Sequence, residues 1–210
     1  MAVYDLEEQE QIAQIKAWWE QYGNRTIVVL LAVAIGFAAW TGLRRYQEGS
    51  AVEAGALYVE LQQVATTGDA QRTRELAGRL IDKYGGTLQA QLGALLSAEV
   101  QFRKNELDYA HSQLEWAADK GTEPALRELA RLRLATVLLQ KKDFDGALAR
   151  LQPAPEGAWL ARFEDLRGDV LAAQGKIDEA RAAWRAALDA FVDAAPLREA
   201  IRAKLESSEG

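Results

Sequence analysis

The longest uninterrupted apolar run in the chain extends from Thr26 to Leu43 and reads TIVVLLAVAIGFAAWTGL, without a charged residue or a proline. A helix of this length, at about 1.5 Å per residue, covers about 27 Å, which is close to the hydrocarbon thickness of a bilayer. The pattern therefore predicts a membrane-spanning helix over residues 26–43. A buried core helix and a secretory signal peptide are the alternatives. The run is longer than ordinary core helices, and an acidic segment precedes it instead of a short basic one.

Aromatic and basic residues flank this run at both ends, where the boundary between lipid and water would lie. The predicted membrane-interface residues are Trp18, Trp19, Tyr22, Trp40, Arg44, Arg45 and Tyr46. The distribution of basic residues does not decide the orientation, because Lys16 and Arg25 before the run balance Arg44 and Arg45 after it.

Residues 1–25 contain apolar residues at helical spacing, namely Ile12, Ile15, Trp19 and Tyr22. This spacing predicts a short amphipathic helix that ends near Gly23-Asn24. Such a helix would lie on the membrane surface or against a partner's span. The alternative interpretation is a frayed acidic tail with an aromatic anchor.

Residues 44–210 have the pattern of an all-helical domain. Ala, Leu, Glu, Arg and Gln predominate, and no stretch alternates apolar and polar positions in the manner of a half-buried strand. Glycine, proline and short polar clusters separate the apolar segments. The predicted helices cover approximately residues 47–65, 70–84, 87–103, 106–119, 124–140, 144–151, 157–174, 177–193 and 196–206.

Three segments of this domain share four columns of apolar or small residues. In column order, the three segments contain Ala98, Leu107, Ala110 and Leu114; Ala135, Phe144, Ala147 and Leu151; and Gly168, Ile177, Ala180 and Trp184. Successive segments begin 37 and 33 residues apart, which is near the 34-residue tetratricopeptide period. The small columns allow two antiparallel helices to approach, and the large columns fill the space beside them. The pattern resembles the tetratricopeptide motif and predicts an all-α fold, in which an N-terminal transmembrane helix precedes an α-solenoid of helix pairs, with residues 47–84 as a degenerate first pair.

The repeat register places candidate partner-binding residues on the first helix of each pair. These residues are Leu92, Leu95, Phe102, Leu129, Leu132 and Leu139, followed in the third repeat by Arg162, Asp165 and Asp169. An apolar groove with a charged end would suit extended or helical apolar segments. The alternative is that the chain covers these leucines with its own residues. The same periodicity predicts that Trp184 belongs to the core.

Composition argues against several other classes of protein. The net charge is −6, and no clustered basic face indicates nucleic-acid binding. The sequence has no cysteine and one histidine, His111, so we expect no enzyme, metal or cofactor. The segment Asp143-Phe-Asp-Gly146 is not a calcium loop, because it lacks the third acidic ligand and the glutamate at the twelfth position.

Two stretches carry a narrower resemblance. The segment IKAWWEQYGN at residues 15–24, a single apolar run, and the segment DLRGDVLAAQGKIDEARAAW at residues 165–184 together resemble the YfgM family of ancillary SecYEG translocon subunits. The resemblance covers nearly the whole chain. It implies a bacterial inner-membrane protein with residues 1–25 in the cytoplasm and residues 44–210 in the periplasm.

The same resemblance implies partnership with SecYEG, the periplasmic chaperone PpiD, exported client proteins and membrane lipid. Two alternatives stay open: a structural adaptor of another envelope complex, and a negative regulator of a cytoplasmic stress-response regulator that acts through the N-terminal tail.

Overall fold

A computed structural model describes residues 2–190 and 195–208 and is helical in those parts. The helices are α1 (Ala2–Thr67), α2 (Ala70–Tyr84), α3 (Leu88–Arg103), α4 (Leu107–Lys120), α5 (Pro124–Gln140), α6 (Phe144–Arg150), α7 (Leu160–Ala173), α8 (Ile177–Ala190) and α9 (Ala195–Ser208). A single 3-10 turn, Gly157–Trp159, precedes α7. The chain divides into two compact units, Met1–Gly49 and Ser50–Gly210.

The first unit exposes large apolar side chains along the N-terminal part of α1. Ile35 and Phe37 are 68% and 64% exposed. No single helix among the described residues is long and apolar enough to cross a membrane. The segments Gln11–Arg25 and Ile27–Ala38 meet that requirement only together, and they bend by 49° relative to one another. The membrane-spanning helix predicted over residues 26–43 is therefore not confirmed and stays a prediction.

The predicted helices of the second unit agree with the structure to within a few residues. The exceptions concern α1 and the segment before α7. The sequence predicted one helix that ends near Gly23-Asn24 and another that begins at residue 47. The structure has a single α1 through both positions, with the 49° bend just after Gly23-Asn24. The helix predicted to begin at residue 157 begins at Leu160, after the 3-10 turn. Residues 191–193 of the predicted helix 177–193 lie outside the described residues.

The turns between paired helices repeat one backbone conformation. Gly68, Asn105, Lys142 and Gly175 have positive φ angles of 72°, 60°, 61° and 79°. In three of these turns the next residue's N–H donates to the carbonyl five residues earlier: Glu106 to Gln101, Asp143 to Leu138, and Lys176 to Leu171. This is the hydrogen bond of a Schellman helix end. The recurrence of the turn at Gly68 supports the prediction that the end of α1 and α2 form a first, degenerate pair.

The helix pairs of the second unit bury three apolar clusters. One cluster joins the C-terminal part of α1 to α2, with Leu61, Leu76 and Leu80 fully buried. The largest extends from α3 to α7 and includes Leu114, Leu134 and Phe163. The third joins α7, α8 and α9 around Trp184 and Ile201. Removal of apolar side chains from water, in proportion to the area buried, stabilises each layer of this stack.

The repeat columns explain most of this packing. All residues of the first, third and fourth columns are buried. Trp184 is 5% exposed, which confirms that it belongs to the core. The second column is different: Leu107 and Phe144 are half-buried, and Ile177 is 37% exposed. The prediction that the second column fills the gap between helices is therefore wrong for Ile177.

Arg131 of α5 connects three elements of the stack. Its guanidinium donates to the carbonyl oxygens of Arg150 at 3.2 Å and Pro153 at 2.8 Å, at the end of α6 and in the following loop. The same group lies 5.1 Å from the ring centroid of Phe163 in α7. Arginine suits this position because its planar group can donate several hydrogen bonds and lie against an aromatic ring.

Candidate partner-binding pocket

Helices α3, α4 and α5 enclose an open pocket of about 180 Å³, here called the α3–α5 pocket. Its lining residues are Ala98, Glu99, Phe102, Leu114, Arg133, Thr136 and Val137. Ala98, Leu114 and Val137 are buried, whereas Phe102 is 37% exposed. Ala98 is a small residue of the first repeat column, so α3 contributes no bulky side chain at that point of the lining.

The structure places the predicted partner-binding residues in different environments. Phe102 lines the α3–α5 pocket. Leu95 is 4% exposed and belongs to the central core, so the prediction that it lines an open groove is wrong. Leu129, Leu132 and Leu139 are half-buried against the same core, and Leu92 is also half-buried.

The sequence-based register missed Glu99, Arg133 and Thr136, which line the pocket. Arg133 follows the predicted Leu132 by one residue, and one residue turns a helical position by about 100°. Glu99 and Thr136 each follow a small residue of the first repeat column, as Asp169 follows Gly168. A register that included the position after the first column in every repeat would have predicted both Glu99 and Thr136.

Two charged side chains, Glu99 and Arg133, line the pocket, and Arg103 lies next to Glu99 at its rim. Glu99 lies 3.8 Å from Arg133 of α5 and 3.8 Å from Arg103 of its own helix. Both separations exceed hydrogen-bond distance, and all three side chains are exposed. The Thr136 hydroxyl already donates to the carbonyl of Leu132 at 3.1 Å. The wall of the pocket is therefore apolar, and its polar groups belong to the rim.

The predicted charged end of the groove is closed by the chain itself. The Lys204 ammonium of α9 donates to Asp165 at 2.7 Å and to Asp169 at 2.8 Å. Asp169 also accepts a hydrogen bond from the indole N–H of Trp184 at 3.1 Å. Asp165 and Asp169 therefore do not form an open charged surface, whereas Arg162 is exposed.

Burial sets the protonation behaviour of this cluster. Burial raises the pKa of Asp165 above its ordinary value, although the Lys204 ammonium opposes that shift. Burial also disfavours the charge on Lys204, but the hydrogen bonds to Asp165 and Asp169 outweigh it and raise the pKa of Lys204. Lys204 therefore keeps its positive charge to higher pH than an isolated lysine, and Asp165 binds a proton more readily than an exposed aspartate.

The aromatic residues predicted at the membrane interface are exposed in the first unit. Trp18, Trp19, Tyr22 and Trp40 all present their rings to the surface. The ring centroids of Trp18 and Tyr22 are 6.0 Å apart. The side chains of Arg44, Arg45 and Tyr46 lie outside the described residues. A role of these residues at a lipid interface stays a prediction.

The described residues contain no group of three or more His, Asp or Glu side chains arranged to hold a metal ion. Stacked helix pairs, a small apolar pocket and a charged rim define the class of α-helical repeat scaffolds, which typically bind other proteins. The chain belongs to the tetratricopeptide repeat-like domain family, whose sequence profile matches residues 16–209.

The resemblance to ancillary translocon subunits is also confirmed. The chain is 29% identical over 204 residues to a protein of Neisseria gonorrhoeae named "Ancillary SecYEG translocon subunit", with 96% of this chain and 97% of the relative covered. It is 29% identical over 210 residues to an Escherichia coli protein of the same name, with 99% and 98% covered. A Haemophilus influenzae protein of that name is 26% identical over 172 residues, with 82% and 84% covered.

Proposed function

We propose that the chain is a non-enzymatic, membrane-anchored binding subunit of the SecYEG translocon, which works with the periplasmic chaperone PpiD on newly exported proteins. Similarity along almost the entire length to proteins named "Ancillary SecYEG translocon subunit" carries this proposal. A match of this extent includes both the N-terminal segment and the helix pairs, so it supports the same order of segments along the chain.

The proposed arrangement is a cytoplasmic tail at residues 1–25, an anchor at residues 26–43 and a periplasmic domain at residues 44–210. The exposed apolar side chains of Leu30, Ile35 and Phe37 support the anchor, because water disfavours such a continuous apolar surface and lipid accepts it. The predicted interface residues would then lie at the two lipid boundaries, in an inner membrane.

Tethering supplies the physical reason for such a subunit. A binding domain held beside an export channel meets each emerging chain at an effective concentration in the millimolar range, so weak contacts are sufficient. The exposed Phe102 and the half-buried Leu92, Leu129, Leu132 and Leu139 are the proposed contacts for apolar segments. Leu95 is excluded because it is part of the core.

Two measurements test the anchor and its orientation. The full-length protein should remain in the membrane fraction after carbonate extraction, and protease added to spheroplasts should digest residues 46–210. Release by carbonate would contradict the anchor. Protection of the helical domain together with digestion of residues 1–25 would reverse the orientation.

Purification and crosslinking test the function itself. The tagged protein, purified from membranes in mild detergent, should bring SecYEG and PpiD with it. A photocrosslinking residue at position 102 should label a secreted nascent chain, and the same residue at the exposed position 127 of α5 should label it less. SecYEG recovery without any client crosslink would instead favour a structural adaptor, and absence of SecYEG would exclude the proposal.

A further inference from the structure

The α3–α5 pocket has the size of a single aromatic side chain. Its volume is about 180 Å³. Cofactors and drug-sized ligands occupy pockets of about 300–1,000 Å³, whereas an apolar cavity of about 150 Å³ in another protein binds benzene. The pocket is therefore too small for a cofactor and large enough for one phenyl ring.

The lining of the pocket favours the same occupant. Ala98, Leu114 and Val137 form a buried apolar floor. Phe102 provides an aromatic wall, and rings pack favourably edge to face. The Thr136 hydroxyl is occupied by the Leu132 carbonyl, so it adds no free donor to the pocket. A hydrocarbon group without hydrogen-bonding atoms satisfies this surface.

The charges at the rim of the pocket indicate which kind of residue would lie near the phenyl ring in a bound peptide. Arg103 and Arg133 share the single carboxylate of Glu99, and each is 3.8 Å from it. The rim thus has two positive charges and one negative charge, with guanidinium donors to spare. In an extended peptide, side chains two positions apart point to the same side and are about 7 Å apart. An acidic residue two positions from the ring could therefore reach a rim arginine.

We infer that the α3–α5 pocket binds one phenylalanine side chain of an extended segment of a protein partner, with an acidic residue two positions away held by Arg103 or Arg133. This inference rests on the proposed function, because it names the chemistry of the segment that the tethered domain would bind.

Competition between short peptides tests the inference directly. The full-length protein in lipid nanodiscs is mixed with a reporter octapeptide, Gly-Ser-Gly-Phe-Ser-Glu-Gly-Ser, that carries a fluorinated phenylalanine and is observed by fluorine NMR. Unlabelled peptides then displace it. Replacement of the phenylalanine by alanine should weaken displacement about 10- to 100-fold. Replacement of the glutamate by lysine should weaken it about two- to five-fold.

Three variants locate the binding in the pocket. Thr136→Trp fills the pocket and should abolish reporter binding while circular dichroism and the melting temperature stay unchanged. Arg133→Glu reverses the charge of the rim, so the lysine peptide should now bind more tightly than the glutamate peptide. Arg127→Glu makes the same charge change elsewhere on α5 and should leave the ranking of the peptides unaltered.

Several results would overturn the inference. Equal displacement by the phenylalanine and alanine peptides would do so, as would wild-type binding by a folded Thr136→Trp protein. Displacement by octanoate, without any preference among peptides, would assign the pocket to lipid chains instead. Copurification of SecYEG with the Thr136→Trp protein, measured in parallel, separates the two proposals. If SecYEG copurifies but the phenylalanine and alanine peptides displace the reporter equally, only the pocket assignment fails.

Discussion

Gly168 of α7 lies directly against the indole ring of Trp184 in α8. A Cβ atom on residue 168 would be only 2.4 Å from the Trp184 ring atoms Cδ1 and Nε1. The other two repeats have Ala98 and Ala135 in the first column and the leucines Leu114 and Leu151, instead of tryptophan, in the fourth. The last repeat thus combines the smallest residue with the largest, and the absence of a Cβ atom at residue 168 leaves room for the indole ring.

Gly168→Ala should therefore destabilise the protein. The indole is buried and cannot move aside without disturbing its neighbours, so we expect the free energy of unfolding to fall by about 1–3 kcal/mol. Gly78→Ala is the matched control, because Gly78 also lies within a helix but has open space at its Cβ position. That variant should gain about 0.5–1 kcal/mol. Chemical denaturation measures both changes, and equal effects would contradict the packing argument.

Truncation of Trp184 separates its packing from its hydrogen bond. Trp184→Ala should cost about 3–5 kcal/mol, because it leaves a cavity among α7, α8 and α9. Trp184→Phe keeps most of the ring contacts but loses the N–H that donates to Asp169, and should cost less, about 1–2 kcal/mol. An alanine variant with the wild-type unfolding free energy would show that Trp184 is not part of the core.

Lys204→Met should leave Asp165 and Asp169 without their cation. We expect a loss of about 1–3 kcal/mol at pH 7, below the full cost of breaking a buried pair because the side chains are partly exposed. The exposed pair of Lys141 and Asp108 provides the control: Lys141→Met should produce no measurable loss.

The effect of Lys204→Met should also depend on pH. Because the pKa of Asp165 is raised in the folded protein above its ordinary 3.8, protonation of Asp165 favours folding. Lys204 lowers the pKa of Asp165, so that pKa should be higher still in the variant. The variant should recover stability as the pH falls through it, since a neutral carboxyl needs no cation. In alkali the two proteins should converge, because the stabilisation by the Lys204 ammonium is complete below pH 10.5 and is lost as the pH rises through its raised pKa. A difference in unfolding free energy between the wild-type protein and Lys204→Met that is the same at every pH would contradict this account.

The turn at Lys142 offers a stabilising substitution. Lys142 has a φ angle of 61°, which costs most residues about 1–2 kcal/mol but costs glycine little. Lys142→Gly should therefore raise the free energy of unfolding by about 1 kcal/mol. Lys142→Ala, which removes the same charge and keeps the strained backbone, should give no gain. The reciprocal change Gly175→Ala, at a φ angle of 79°, should lower stability by about 1 kcal/mol.

Leu95 and Phe102 should respond differently to the same polar substitution. Leu95→Ser removes a core side chain and should cost at least about 2–5 kcal/mol. Phe102→Ser changes a wall of the α3–α5 pocket that is 37% exposed, so it should cost less than Leu95→Ser while it weakens binding of the reporter octapeptide. Loss of reporter binding only in proportion to loss of stability would show that Phe102 acts through the fold and not as a contact.

The amino-acid sequence by itself determined the helical class, the approximate helix boundaries and the repeat. These features are local: helical periodicity, turn residues and small residues at fixed spacing act within some 35 residues of chain. The burial of Trp184 followed from its own helix face. The left-handed turns at Asn105 and Lys142 were not visible, because the sequence lacks glycine there and the hydrogen bonds that impose the conformation come from the preceding helix.

Only the tertiary structure decided which face of each helix remains accessible. Leu95 and Phe102 are seven residues apart and lie on the same face of α3, so helical periodicity cannot distinguish them. Leu95, in the middle of the helix, is buried, whereas Phe102, next to its C-terminal end, is 37% exposed, because the neighbouring helices cover the two positions to different extents. The sequence could not predict the position of α9 either, because the contact of Lys204 with Asp165 joins residues far apart in the chain. Such long-range contacts fixed the α3–α5 pocket and closed the groove at α7, since they depend on how the helices pack and not on any local pattern.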